Sequence, residues 1–498
     1  MQIKIIDKPI TEFKGDAIVV SVLQDGGKLR GAAAQVDRVF SGLISKLIKT
    51  HEITGKIGET TVLYGSGNMD VDKVVVVGLG KETDMDNEAV RKAAGSAARK
   101  MQSLHVQHAA TAIHGAETGR LDPARSVQAV VEGTCLGTYR FDVYKKKKGP
   151  HAISSLSIFT AEKTDIRRLS KAVQQGDILA RAQNIARDLI NEPANNLTPD
   201  KFYSRIKALI NEWGLARTVK CRYLGRDAIR RLGMDALLAV GQGSAHPERF
   251  IILEYRSSKK PLVALVGKTV TFDSGGISIK PSTGMGAMKG DMSGGAIAFA
   301  ATLALARLGS KVNLMTIIPA VENMPSGSAY RPGDVIRAMN GKTIEIVSTD
   351  AEGRLTLADA IVYAEKKGAR VIVDVATLTG GCVVALGTLI AGLMGNDDSL
   401  IQTWMERSRP TGEKFWPLPL PEDYMKQMKS DVADIKNSGG RDASTITAGL
   451  FLRSFVDKAK WLHIDIAGKE LAERDDLYTP AGGTGFGVRS LFEFFSNV

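Results

Sequence analysis

The sequence predicts an α/β protein, with a small N-terminal α/β domain and a larger C-terminal α/β domain on a mainly parallel central sheet flanked by helices. Three observations lead there. The chain has 498 residues, too many for one ordinary core. Short apolar runs alternate with helical stretches along its length, the pattern of strands joined by crossover helices. In the second half the strand runs are apolar almost throughout, as strands are when both faces of a parallel sheet are covered.

In the first domain, taken as residues 1–160, "DAIVVSV" and "KVVVVGLG" read as strands and "NEAVRKAAGSAARKMQSL" as a helix. Gly78 and Gly80 lack the third glycine of a dinucleotide fingerprint, so that stretch reads as a strand and a tight turn. From Thr164 to Ile190 apolar residues recur at three- and four-residue spacing, which predicts a long linker helix over 161–190. "NEPANNLTP" then breaks the pattern with two prolines and opens the second domain, 191–498. There "PLVALVG", "KVNLMTIIPA", "TIEIVST" and "ARVIVDVAT" read as strands. "SGGAIAFAATLALARLG" and "RLTLADAIVYAEKKG" read as the helices between them.

Composition narrows the class. Hydrophobic residues at 44% and charged residues at 24% describe a globular chain. Three widely spaced cysteines, Cys135, Cys221 and Cys382, match neither a disulfide framework nor a zinc ribbon and are expected to be reduced. The opening "MQIKIIDKPITEFKGD" carries charges where a signal peptide needs an apolar core, and no apolar run is long enough to span a bilayer. A cytoplasmic location without membrane attachment is expected. The net charge of +12 is compatible with a nucleic-acid-binding patch, although the one dense run, Lys145–Lys148, reads as a solvated loop before Pro150.

Chemistry concentrates in two segments. "GKTVTFDSGGISIKPSTGMGAMKGDM" carries Lys268, Asp273, Lys280 and Asp291, and "STDAEGRL" carries Asp350, Glu352 and Arg354. Ligands in open parallel sheets bind beyond the carboxyl ends of the strands, where both segments fall. Asp350, Glu352 and Arg354 are two apart, so in an extended segment they project onto one face. If the segments meet, four carboxylates converge, and only cations make that tenable. A divalent metal site follows, binuclear if two ions share a carboxylate and a water, and its oxygen donors suit Mg, Mn or Zn. Lys268 joins such a site only as a neutral amine. Lys280 and Arg354 are then left to stabilise an oxyanion and hold the substrate or an anion.

Each residue alone has a blander reading. Asp291 could cap a helix, Asp350 and Glu352 could start one, and Lys280 could be a solvated loop residue. Capping does not explain two charged, glycine-lined loops together, and the joint reading is preferred. His463, on the apolar strand "WLHIDIAG", reads as a hydrogen-bonded core histidine. Met285, Met288 and Met292 read as pocket lining or core filling.

At these residues the sequence resembles the cytosol (leucyl) aminopeptidase family. The two charged segments are similar to its metal-binding signatures, and "NEPANNLTP", "ATLTGG", "NSGGRDASTITAGLFL" and "TGFGVR" follow in the family's order. The resemblance implies two divalent ions, Mn or Zn. Lys268, Asp273, Asp291 and Glu352 would hold a tight site, and Asp273, Asp350 and Glu352 an exchangeable one. Lys280 and Arg354 would be catalytic, the lysine polarising the scissile carbonyl and the arginine holding a bicarbonate that acts as general base. Met288, Thr377 and Gly380 would shape the pocket for the first side chain, so peptides with leucine-like N-terminal residues are the implied substrates. A homohexamer, a dimer of trimers, is implied as well. Ser348 replaces an asparagine and Thr269 a glycine that the family usually carries, and neither change removes an implied ligand. The carboxylates by themselves would also suit a two-metal phosphohydrolase. Some bacterial relatives bind DNA, so a secondary DNA-binding role is a further expectation.

Overall fold

The computed structural model describes residues 1–24, 28–65, 69–147, 149, 153–160 and 165–497. Lys148, Pro150 and residues 161–164, at the end of the lysine run and the start of the expected linker helix, lie outside the described residues; Lys145, Lys146 and Lys147 are exposed.

The chain divides into two compact units, one built from residues 1–184, 410–412 and 473–481 and the other from the remainder. The helix Ile166–Asn191 runs through the division between residues 184 and 185.

The first unit is organised on a six-stranded sheet of β1 (Gln2–Asp7), β2 (Gly15–Val22), β3 (Thr60–Tyr64), β4 (Val71–Gly78), β5 (His108–Ala112) and β6 (Ser155–Thr160), in the order β1-β6-β5-β2-β4-β3. Only the β3–β4 pair is antiparallel. Alternation in β2 serves both faces: Ala17 and Val19 join the core under the helices Asn87–Ser103 and Pro123–Gly137, while Ile18 and Val20 join the opposite core with Val36 and Ile44. Both helices on the first face start on an aspartate, with Asp86 accepting from the Ala89 amide and Asp122 from the Ala124 amide.

The second unit holds a nine-stranded sheet. Its strands are β7 (Val219–Leu224), β8 (Arg249–Arg256), β9 (Val263–Gly267), β10 (Thr269–Asp273), β11 (Asn313–Asn323), β14 (Val371–Ala376), β15 (Ile390–Gly395), β16 (Lys414–Pro417) and β18 (Lys460–Asp465). The order is β16-β15-β18-β14-β9-β11-β8-β7, with β10 paired to β11. The centre, β18-β14-β9-β11, is parallel, and antiparallel pairs lie towards both edges. Every residue of β9 is buried. Ala264 and Val266 belong to the core under the helix Gly353–Lys366, and the helix Ser293–Arg307 also packs on β9. The sheet is therefore covered on both faces, as the continuous apolar runs predict.

One strand departs from expectation. "TIEIV" does not enter the large sheet. Only Thr343–Glu345 pairs, as β13 between β12 (Val335–Arg337) and β17 (Ile435–Lys436) in a separate three-stranded sheet. The apolar run is real, but its residues pack around Ile344 and Ile346 rather than in the central ladder.

Asp359 fixes the helix Gly353–Lys366 to its neighbours. Its buried carboxylate accepts from the Leu237 amide at 2.9 Å and the Met339 amide at 2.8 Å. Burial pushes its pKa up to about 7, against these two hydrogen bonds. Asp359→Ala would strand the buried Leu237 amide, at a cost of about 1–3 kcal/mol, and the partly buried Met339 amide at a lower one. Urea unfolding should show a loss of about 2–4 kcal/mol, and less for Asp359→Asn; an alanine variant as stable as the parent would refute the role.

Candidate metal centre

The two charged segments meet at the carboxyl ends of β9, β10 and β14. Lys268 follows β9 directly, and its Nζ donates to Asp291 Oδ1 at 2.7 Å and to Thr377 O at 2.8 Å, with Glu352 Oε1 at 2.9 Å. Lys280 Nζ lies 2.8 Å from Asp273 Oδ2 and 2.5 Å from Asp350 Oδ1. Asp273, at the end of β10, and Asp350, in a turn, thus share one ammonium. One oxygen each of Asp273, Asp350 and Glu352 lies within 4.8 Å of the others.

The segment around Asp350 reaches the site differently from the extended reading. Thr349 and Asp350 form a turn, Glu352 already has helical angles (φ −77°, ψ −40°), and Arg354 lies in the first turn of the helix Gly353–Lys366. A turn running into a helix, not strand alternation, brings Asp350 and Glu352 together. The capping alternative falls away for Asp291, whereas Glu352 does stand at the N-terminus of the helix Gly353–Lys366. The side chain of Asp291 serves Lys268 and Thr377 rather than a helix end, and Glu352 makes no side-chain cap.

Burial and charge pull in opposite directions here. Burial disfavours the ammonium of Lys268, yet Asp291, Glu352 and Asp273 together outweigh it and raise its pKa. Burial likewise opposes the charged form of Lys280, and Asp273 and Glu352 overcome it. Glu352 is the favoured anion: burial opposes its charge, but Lys268 and Lys280 hold its pKa down. Asp291 is pushed well up by burial and by repulsion from Glu352 and Asp273, although Lys268 touches it. Asp273 rises for the same first reason, burial. Two lysines are shared among four acids, so the cluster still demands positive charge. Arg354 is buried, which lowers its pKa to about 10 and leaves it cationic at neutral pH. Its Nη1 donates to Asn437 O at 2.9 Å.

The donor set fits a hard divalent cation. All the carboxylate oxygens are hard donors, and the buried Asp291 Oδ2 has no hydrogen-bond partner.

The sequence profile of the cytosol aminopeptidase family, catalytic domain, matches residues 184–492, and that of the family's N-terminal domain matches residues 19–148. The chain belongs to the cytosol aminopeptidase family. It is a metal-dependent aminopeptidase, a metallo-exopeptidase whose substrates are peptides. The probable cytosol aminopeptidase of Geobacter sulfurreducens is 41% identical over 488 residues, with 97% of each chain covered. That of Alkaliphilus oremlandii is 40% identical over 502 residues, covering all of both chains. Among solved structures, the bottromycin maturation enzyme BotP in complex with Mn superposes with a TM-score of 0.86 at 35% identity, covering 97% of this chain and 99% of its own. A mutant of tomato leucine aminopeptidase superposes at 0.89 with 31% identity, covering 100% and 97%.

Around this aminopeptidase site, Thr377 lies where both its carbonyl and its hydroxyl engage Lys268 and Asp291. Met288 is half-buried, Met292 is core, and Gly380 is exposed at the start of the helix Gly380–Leu386. His463 is a core residue as read, its Nδ1 2.5 Å from Asp374 Oδ1.

Sequence reasoning passed over three buried polar residues. Asn323 ends β11 and donates to Asp273. Asp465 ends β18 and accepts from Leu378 N and Thr379 Oγ1, anchoring the turn that carries Thr377. The side chain of Asn437 binds the backbone of Val347 and Ser348. For the first two the available signal was a polar residue closing an apolar strand beside the site.

Proposed function

We propose that the chain removes the N-terminal residue of short peptides, preferring leucine-like apolar residues, at two divalent ions of Mn or Zn. Lys268, Asp273, Asp291 and Glu352 are assigned to a tight site, and Asp273, Asp350 and Glu352 to an exchangeable one. The observation that carries this reading is the convergence of Asp273, Asp350 and Glu352 from two segments far apart in the sequence. When bound, the ions would supply Lewis acidity that lowers the pKa of water and polarises a carbonyl oxygen, and a bicarbonate held at Arg354 would supply a proton acceptor. Lys280, on the open side of the cluster, donates to the carbonyl oxygen and stabilises the charge that develops on it. Arg354, fixed by Asn437 O, holds its guanidinium ready for an anion. The neutral amine of Lys268, rather than the ammonium that the acids favour by themselves, is the form able to donate to an ion. Met288, Thr377 and Gly380 are assigned to the pocket for the first side chain.

Metal-stripped protein should hydrolyse leucine amide at the background rate, and added Mn or Zn should restore the activity. Full activity after exhaustive stripping would sink the proposal, and a panel of aminoacyl amides tests the leucine preference. A homohexamer, a dimer of trimers, is proposed from the family membership. No helix among the described residues is long and apolar enough to cross a membrane, and a cytoplasmic location is proposed. The net charge of +12 is the one observation favouring an additional DNA-binding role; absence of duplex binding at low salt would exclude it.

A further inference from the structure

We propose that Asn323 is a positioning residue that sets the spacing between the two carboxylate-bearing segments and so tunes ion affinity at the site formed by Asp273, Asp350 and Glu352. This rests on the assignment of those three residues as ligands. Asn323 is fully buried at the last position of β11, in register with Asp273 of β10. Its Nδ2 donates to Asp273 Oδ1 at 2.8 Å and to Thr349 O at 3.0 Å, so one amide ties an acid of the first segment to the backbone just before Asp350 in the second. Reversing the amide would set its oxygen against two acceptors, which fixes the orientation.

The surroundings reinforce the tie. The Asn323 carbonyl accepts from the Ser274 amide and hydroxyl, at 3.1 and 2.8 Å. Thr349 Oγ1 donates to Gly275 O at 2.6 Å and accepts from Ser278 N at 2.8 Å, while Tyr330 donates to Thr349 O at 2.7 Å. A Cβ on Gly276, whose φ is +66°, would lie 2.8 Å from Asn323 Oδ1, so the loop closes tightly over the amide. That oxygen is buried without a partner. A buried amide that leaves its acceptor unsatisfied to keep both donors on the site is costly as core filling and makes sense as orientation of a ligand.

The test is calorimetric titration of the metal-stripped full-length chain with Mn2+ alone, for the parent, Asn323→Ala and Asn323→Ser. Loss of an outer partner of a metal ligand weakens binding by about tenfold to a hundredfold. The weaker Mn2+ step is expected to fall by that factor in the alanine variant and by less in the serine variant, which keeps a donor, while the stripped proteins still unfold in one cooperative transition. Variants that fold and bind Mn2+ like the parent would overturn the inference and leave the ligand assignment standing. A parent that takes up no Mn2+ would overturn the assignment itself. If neither variant folds, Asn323 is a structural residue and the positioning role is overturned.

Discussion

Glu352→Ala is expected to abolish aminopeptidase activity while leaving the chain folded. Among the four acids of the site Glu352 is the one whose pKa is held down, and it touches both halves of the site, pairing with Lys268 and converging with Asp273 and Asp350. Both proposed ions depend on it. Stabilisation of transition-state charge by bound metal is worth several kcal/mol, and about 1.4 kcal/mol is a factor of ten. A fall in kcat/KM for leucine amide of about a thousandfold or more follows, even with Mn in excess. The fold should survive because Lys268 keeps Asp291 and Thr377 O as partners. Metal content and thermal unfolding, measured beside the rate, separate the two effects. A well-folded variant within about tenfold of the parent would mean that Glu352 is no ligand.

Gly294→Ala is expected to cost the chain much of its stability although it adds a single methyl group to a helix. Gly294 sits in the first turn of the helix Ser293–Arg307, where alanine is intrinsically better by about 1 kcal/mol. Packing reverses that preference. A Cβ there would lie 2.2 Å from Val375 O and 2.9 Å from Lys268 N, the two atoms that form the hydrogen bond joining the ends of β9 and β14. Both are backbone atoms and cannot rotate away, so helix and sheet must separate and carry Lys268 with them. Overpacking of this kind costs about 3 kcal/mol or more. Gly286→Ala, where a Cβ meets nothing within 4 Å, is the control and should be close to neutral. Denaturant unfolding of both variants decides the matter, and equal stabilities would refute the close-packing argument.

The acids were legible in the sequence because carboxylates among glycines have no structural excuse in such numbers, and the two segments do meet. The path by which they meet was not legible. Strand alternation was a sound rule applied to the wrong geometry, since Gly353 begins a helix and residues 349–352 turn into it. "TIEIV" reads as a central strand because apolar periodicity reports burial, and burial in a small side sheet leaves the same trace. Asn323 and Asp465 escaped notice for another reason. A polar residue after an apolar run looks like the end of a strand, and only the fold reveals that both strands end at one place.

Because β13 is held in its own three-stranded sheet, Asp350 follows a side sheet, whereas Asp273 closes β10 of the main sheet and Glu352 opens the helix Gly353–Lys366 that packs on it. Asp350 is therefore the acid that can be moved from the side, while Glu352 moves only with the core. Changes confined to the exposed Val335 and Arg337 of the hairpin of β12 and β13 offer a way to shift Asp350 while Ile344 stays in the shared core, much as one jaw of a vice is adjusted against a fixed one.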